Sequence, residues 1–167
     1  MTVRRAVAGD EAIVRDLRLQ ALADAPEAFG STLERELART PEDWRRWLSH
    51  GATFIVEEWD GPKGIACGVP HDGDPSAIFV MSVWVHPSLR GTGAGDALMA
   101  AVLSWAEAEG FAAAWLHVGK SNQPARRLYE RHGFRATGEE VIRGRDGLVE
   151  IEMLRPLAGA ADRVGCV

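Results

Sequence analysis

Between Val83 and Asp96 the chain reads Val-Trp-Val-His-Pro-Ser-Leu-Arg-Gly-Thr-Gly-Ala-Gly-Asp. A β-branched and aromatic run enters a glycine-rich turn, which opens directly into a helical pattern. Gly91, Gly93 and Gly95 permit close backbone approach and positive φ. The helix start adds N–H groups without intrahelical acceptors and the positive end of the helix dipole. Such a loop is built to hold an anion, phosphate above all, and Arg90 stands at its lip. Two better-known phosphate loops do not fit. The dinucleotide fingerprint G-x-G-x-x-G meets Asp96 or Leu98 at its last position, and G-x-x-x-x-G-K-[ST] is absent. What remains is R-x-x-G-x-G. Asp96, an acid in the first helical turn, suits the dipole but repels an anion, so it is expected to point outward.

A second block, Asn122-Gln-Pro-Ala-Arg-Arg-Leu-Tyr-Glu-Arg-His-Gly-Phe134, follows a strand pattern ending at Leu116-His117-Val118. The two blocks in order, V-x-V-x-P-x-x-R-G-x-G-x-G and N-x-x-A-x-x-L-Y-x-x-x-G-F, resemble the GNAT superfamily of acyl-CoA-dependent N-acetyltransferases. The resemblance implies acetyl-CoA as co-substrate and an amine as acceptor, with no metal. It assigns the backbone of Arg90, Gly91, Thr92, Gly93, Ala94, Gly95 and Asp96 to the coenzyme pyrophosphate. Main-chain groups of Val83 and Val85, and the side chain of Asn122, fall to the pantetheine arm. Tyr129 falls beside the thioester sulfur, and Arg126 or Arg127 either touches the adenosine phosphate or stands on a solvated helix face.

The chemistry of acetyl transfer makes its own demands. Only about one primary amine in a thousand is unprotonated near neutral pH, so a base is needed. Attack on the thioester charges the carbonyl oxygen, which a main-chain N–H on the Ala77–Val85 strand can stabilise. The leaving thiolate needs a donor, and Tyr129, the chain's single tyrosine, can give a hydrogen bond or the proton. Many relatives carry a carboxylate on the central strand as base. Ala77–Val85 has none, and Ser82, its one hydroxyl, is a poor base. Glu57, Glu58, Glu34, His71 and His117 are the substitutes. His117 is the most attractive, since imidazole is largely neutral near pH 7.5, and strand parity points it away from the face that takes Leu116 and Val118. The missing carboxylate keeps a non-catalytic acyl-CoA-binding or sensing module on the same fold as the alternative.

The elements that position these residues alternate along the chain. Strands are expected at Thr2–Ala6, Thr53–Glu57, Gly64–Val69, Ala77–Val85 and Ala113–Val118, with a terminal hairpin of Arg135–Ile142 and Leu148–Leu154. Helices are expected at Asp10–Ala25, after Thr40-Pro41 (Thr as N-cap, Pro at the first helical position), at Gly93–Glu109 and at Asn122–His132. Glu27–Arg39 reads as irregular and helical. Gly110-Phe111 and Gly133-Phe134 read as helix stops. The fold class is α/β (α+β): a GNAT-like mixed, mostly antiparallel sheet of about seven strands with helices on both faces. Residues 1–157 are expected to form one N-acetyltransferase domain and 158–167 a short tail.

Composition narrows the setting. The chain has 167 residues and a formal net charge of −5, which disfavours nucleic acid as a partner. No apolar run approaches the ~18 residues of a membrane span, and the N-terminus lacks a signal-peptide core, so a cytoplasmic location is expected. Cys67 and Cys166 form no CxxC pair or metal spacing. Trp44 and Trp47, three apart on a helix, are read as core or as acceptor-pocket lining. Trp59 and Trp84 have no assigned place; an exposed pair of that kind would mark a homodimer contact.

Overall fold

The computed structural model describes residues 1–158. Seven strands form one sheet in the order β1-β2-β3-β4-β5-β7-β6. They are β1 (Thr2–Arg5), β2 (Ala52–Glu58), β3 (Gly61–His71), β4 (Asp74–Val85), β5 (Ala113–Gly119), β6 (Arg135–Ile142) and β7 (Val149–Pro156). Every neighbouring pair is antiparallel except β4 and β5. The five helices are α1 (Glu11–Asp24), α2 (Leu33–Leu37), α3 (Pro41–Ser49), α4 (Ala94–Ala108) and α5 (Gln123–Arg131).

The two sheet faces carry separate cores. On one, α4 inserts Leu98, Met99, Val102, Leu103 and Ala106 against Phe54, Val56, Ile78, Val80 and Leu116. Those α4 positions follow helical spacing, which is why this run is a helix with one buried stripe. On the other face, α1 packs Val14, Leu17, Ala21 and Leu22 with Trp44 of α3 against Ile55, Ile65 and Cys67. The caps are those that the residue types call for. Thr40 Oγ1 accepts the Asp43 N–H at 3.2 Å, and the Asp43 carboxylate accepts the Thr40 N–H at 2.8 Å, closing a capping box. Gly110 and Gly133 take positive φ, and the N–H groups of Phe111 and Phe134 reach back to Ala106 O and Tyr129 O.

Three details differ from the expected elements. Glu27–Arg39 is not one irregular helix but a 3-10 turn at Pro26–Ala28 and the short α2, capped by Thr32. The β3–β4 hairpin runs closer to its tip, pairing His71 with Asp74 around Asp72-Gly73. Trp59 is 95% exposed at the β2–β3 turn, but Trp84 is only 5% exposed, so the two are not an exposed pair. Of the expected tail, residues 159–167, with Cys166, lie outside the described residues. No helix among the described residues is long and apolar enough to cross a membrane.

The feature that makes a site is the β4–β5 junction. The two strands pair only over Ala77–Phe79 and Ala113–Trp115. Beyond that, β4 stays with β3 as far as Val85, and β5 stays with β7 as far as Gly119. Each strand is satisfied on its outer side, so the sheet opens into a wedge with a bare edge on either wall.

Candidate active site

The anion cradle forms at the head of α4. Gly91 and Gly93 have φ of 78° and 90°, a left-handed conformation that costs a side-chain-bearing residue roughly 1–2 kcal/mol. The turn this produces aims backbone N–H groups outward. Those of Gly91, Gly93, Ala94, Gly95 and Asp96 reach no acceptor among the described residues. Thr92 departs from its expected role: its N–H and its hydroxyl both turn inward to Leu89 O, at 3.3 and 2.7 Å. It shapes the loop and leaves no donor for a ligand. Asp96 does turn aside, binding Arg131 at 3.0 Å and His132 at 3.1 Å. The Arg131 guanidinium, then burial against it, then His132, set its carboxyl below the usual range. The acid therefore ties α4 to α5 and adds no net repulsion to the cradle.

Arg90 is held rather than projecting. Its Nε donates to Val85 O at 3.1 Å, and its Nη2 binds Asp24 at the end of α1. Asp24 also accepts the Trp84 indole N–H at 2.9 Å. That bond is the largest cause of the low pKa of Asp24, with Arg90 adding to it against a smaller desolvation cost. Trp84 is thus buried with its N–H satisfied, as a buried indole requires.

A β-bulge at Ser82 decides which β4 side chains face the wedge. Ile65 pairs with Trp84 and Cys67 with Met81, so β4 spends one residue more than β3 over this stretch. Ser82 absorbs the excess with φ of 57°. Before the bulge, Ile78 and Val80 face α4 while Met81 faces α1; after it, Val83 and Val85 join the α4 side and Trp84 the α1 side. The His86 N–H donates to Lys63 O across the β3 side, so by alternation the main-chain groups of Val83 and Val85 address the open edge, where the Val85 carbonyl already accepts Arg90 Nε. That edge can pair with an extended ligand arm.

Asn122 and Tyr129 close the same cleft from α5. Asn122 is the N-cap, its Oδ1 accepting the Ala125 N–H at 3.3 Å, which leaves its amide nitrogen as a donor. Tyr129 is 8% exposed and packs edge-on to Phe134. Burial raises its phenol above the ordinary value, so it is a hydrogen-bond donor throughout the neutral range. The cleft measures about 800 Å³ and is lined by Val83, Val85, Gly91, Gly93, Asn122 and Tyr129 on one side. Ala25, Glu27, Phe29 and Leu148 line it from the other. Arg126 donates to Lys120 O.

Two arginine systems that sequence reasoning missed fix that second wall. Arg143, 8% exposed, donates to Glu27 O (2.8 Å) and Phe29 O (2.9 Å) while paired with Asp146 and Glu150. It pulls Asp146 down to about 2. Arg145 adds bonds to Pro26 O and Phe29 O. The sequence signal was there, arginines flanking Gly144 in the β6–β7 turn, but their partners are more than a hundred residues away. Beneath the wall, Arg18 of α1 (4% exposed) lies 3.7 Å from Glu36 of α2 (0% exposed), and Arg39 binds the same carboxylate. Burial lowers the pKa of Arg18, with Glu36 opposing. Arg18 also stacks on Phe29.

The structure sorts the expected bases. Glu57 is bound to Arg4, and Glu58 to the N-terminal amine, near β1. Glu34 is on the short α2. His71 stacks between Phe79 and Trp115, with Nδ1 accepting the Gly73 N–H. His117 lies on the sheet face opposite Leu116 and Val118, edge-on to Phe79, with Nε2 3.6 Å from Glu152 and Nδ1 4.0 Å from Glu150. It is not a cleft-lining residue, and it stands across the sheet from Tyr129. Cys67 is buried, and burial pushes its thiol up to about 11, which removes it as a nucleophile near neutral pH.

Comparison with known proteins bears on the family and the fold. An uncharacterized N-acetyltransferase of Mycobacterium tuberculosis is 37% identical over 121 residues, covering 72% of this chain and 76% of the relative. A mycothiol acetyltransferase of Thermomonospora curvata is 33% identical over 123 residues, covering 74% of this chain; the chain spans about 40% of that relative's length. A phosphinothricin acetyltransferase of Sinorhizobium meliloti, solved with acetyl-CoA, superposes with a TM-score of 0.78 at 20% identity, covering 96% of this chain and 90% of that one. The family model for the acetyltransferase (GNAT) family matches residues 18–134, and the chain belongs to that family of acyltransferases.

Proposed function

We propose that the chain transfers the acetyl group of acetyl-CoA to an amine by direct attack within a ternary complex. The observation that carries this reading is the continuity of one cleft, from the free N–H groups heading α4, along the bare edge of β4, to Tyr129. In this reading the coenzyme pyrophosphate takes the N–H groups of Gly91 and Gly93–Asp96. The pantetheine arm pairs with Val83 and Val85 and receives the Asn122 amide. The thioester then lies at the Ser82 bulge, where a β4 main-chain N–H stabilises the oxyanion.

The amine nitrogen attacks the carbonyl carbon after losing a proton to His117, directly or through water. The C–S bond then breaks toward Tyr129. Full proton transfer from Tyr129 to a thiolate runs uphill by about 2 kcal/mol on reference pKa values alone, and burial of the phenol adds to that. Tyr129 therefore acts by hydrogen-bonding the departing sulfur, and the amine's surplus proton ends on the thiol. Base and donor on opposite faces of the wedge suit the two opposite ends of the displacement. No step needs an acyl-enzyme.

Thermal unfolding with ligands tests the coenzyme half: acetyl-CoA should raise Tm, whereas NAD and ATP should not. Release of free thiol across an amine panel tests the transfer half. Tyr129→Phe should lower kcat by about 10- to 100-fold, the range of a lost charge-assisted hydrogen bond, with acetyl-CoA affinity within about twofold. An unchanged kcat would remove the role given to the phenol.

A further inference from the structure

The sheet face opposite the coenzyme cleft holds a second cavity, of about 670 Å³, between α3 and the β3–β4 hairpin. Trp47, His71, Phe79 and Met81 are among its walls. Its position relative to the wedge is set by strand pairing. Phe79 is the last β4 residue paired with β5, and Met81 is the last paired with β3 before the bulge at Ser82. The cavity therefore ends where the wedge begins.

Its aromatic lining continues toward the wedge. The His71 ring lies 5.7 Å from Trp115, and the Phe79 ring meets His117 edge-on at 5.1 Å. The row ends on carboxylates, with Glu152 3.6 Å from His117 and Glu150 4.0 Å from it. Glu150 is already paired with Arg143. Glu152 has the Thr137 hydroxyl and the His117 ring as its polar neighbours and no arginine or lysine among the described residues. Around the cavity itself Arg39 pairs with Glu36 and Arg46 with Asp43, which also closes the α3 cap, while Asp72 is exposed in the β3–β4 turn. The aromatic side of the cavity thus leads to Glu152, a carboxylate without an arginine or lysine partner, beside the proposed base.

We propose that this cavity is the acceptor subsite and that the acceptor is an arylalkylamine. Its ring lies against Trp47 and Phe79, and its ammonium meets Glu152 beside His117. The size suits a drug-sized body, the rings offer stacking and edge contacts, and a carboxylate lacking a fixed partner selects a cation over a neutral or anionic head. The inference rests on the acetyl-transfer reading and adds to it the class of acceptor.

The test is calorimetric titration of the full chain, held in saturating coenzyme A so that nothing turns over, with 2-phenylethylamine, n-butylamine and 3-phenylpropanol. 2-Phenylethylamine should bind at least tenfold tighter than either analogue, since one lacks the ring and the other the charge. Phe79→Leu, which keeps side-chain bulk and so guards against misfolding, should weaken 2-phenylethylamine fivefold or more and n-butylamine less than twofold. Glu152→Gln should weaken both amines fivefold or more and leave 3-phenylpropanol within twofold. Equal affinities for the three probes, no saturable binding of 2-phenylethylamine to protein that binds coenzyme A, or indifference to both substitutions would overturn the proposal and leave the acetyl-transfer reading intact. Failure of coenzyme A itself to bind would overturn that reading and this one with it.

Discussion

Replacing Gly93 by alanine separates the backbone cradle from every other way of holding a coenzyme. Gly93 has φ of 90°, and a Cβ built there meets nothing within 4 Å. The substitution therefore brings no clash, only the left-handed penalty of roughly 1–2 kcal/mol. For a chain of this size that is a fall in Tm of about 2–8 °C. The loop can either keep its shape and bear the strain, or relax to negative φ and turn some of its N–H groups away. Each hydrogen bond to a phosphate lost in that way is worth about 1.5–3 kcal/mol, so losing one weakens acetyl-CoA by roughly 10- to 150-fold. Gly61 supplies the control. It has φ of 120°, its Cβ direction is equally open, and it sits in the β2–β3 hairpin away from the cleft. Urea unfolding and calorimetric titration with acetyl-CoA should show both Gly→Ala variants destabilised by similar amounts and only Gly93→Ala impaired in binding. If Gly93→Ala binds acetyl-CoA as the wild type does, or if both variants lose affinity alike, the cradle is not where the pyrophosphate sits.

Two further perturbations address the wall that Phe29 lends to the coenzyme cleft and the acid limb. Glu36→Gln leaves the Arg18 guanidinium buried with its main counter-charge gone, and such a break costs about 3–5 kcal/mol; urea unfolding should show it, while the exposed Glu42→Gln, whose pair with Arg45 is about 60% exposed on both sides, should change stability by no more than ~0.5 kcal/mol. Equal losses would mean that the buried pair is no anchor. Asp10, Asp24 and Asp96 are all held below the ordinary carboxylate range, mainly by Arg4, the Trp84 indole and Arg131 respectively. A depressed folded pKa gives stability that is complete above the unfolded value of ~3.9 and is lost as pH falls through the lower folded value. Tm followed by circular dichroism should therefore lose the contribution of these three groups only below about pH 4. Replacing Asp10 by Asn should lower Tm at pH 6 and matter progressively less toward pH 2; an effect that grows on acidification would reverse the sign assigned to its pairing with Arg4.

Local chemistry carried most of the fold into the sequence. The Thr40-Pro41 start, the Gly-Phe stops and the period of α4 each depend on residues within a turn or two, and each was legible. So was the cradle, since Gly91 and Gly93 sit beside the helix they head. The parity that sends His117 to one face and Leu116 and Val118 to the other was legible as well. The place of Trp84 was illegible because its face depends on the extra residue at Ser82, and a bulge is a mismatch between two strands that neither shows alone. Ser82 did stand out as the polar residue in an apolar strand, which in retrospect is the cue. Arg90 was placed at the lip of the cradle, but its partners are Asp24, 66 positions earlier, and the carbonyl of Val85 at the end of β4. Arg143 and Arg18 were illegible for the same reason. An arginine's role follows from what the topology brings to it, and the sheet order β5-β7-β6 is what sets Arg143 against Glu27 and Phe29.

The arginines also bear on how a protein of net charge −5 can hold a polyanion. Those nearest the cleft are engaged inside the molecule: Arg90 with Asp24, Arg131 with Asp96, Arg143 with Asp146 and Glu150. The first two pairs join elements, α1 to the cradle loop and α4 to α5, and Arg143 joins the β6–β7 turn to the segment after α1 through the carbonyls of Glu27 and Phe29. In the proposed reading phosphate recognition falls to backbone N–H groups, which carry no formal charge and are fixed by φ rather than by side-chain rotamers. On the acceptor side the same economy is reversed: Glu152 keeps no arginine or lysine. On the proposed reading the molecule presents donors without charge to an anionic coenzyme and a carboxylate without an arginine or lysine partner to a cationic acceptor, and the overall balance reports neither.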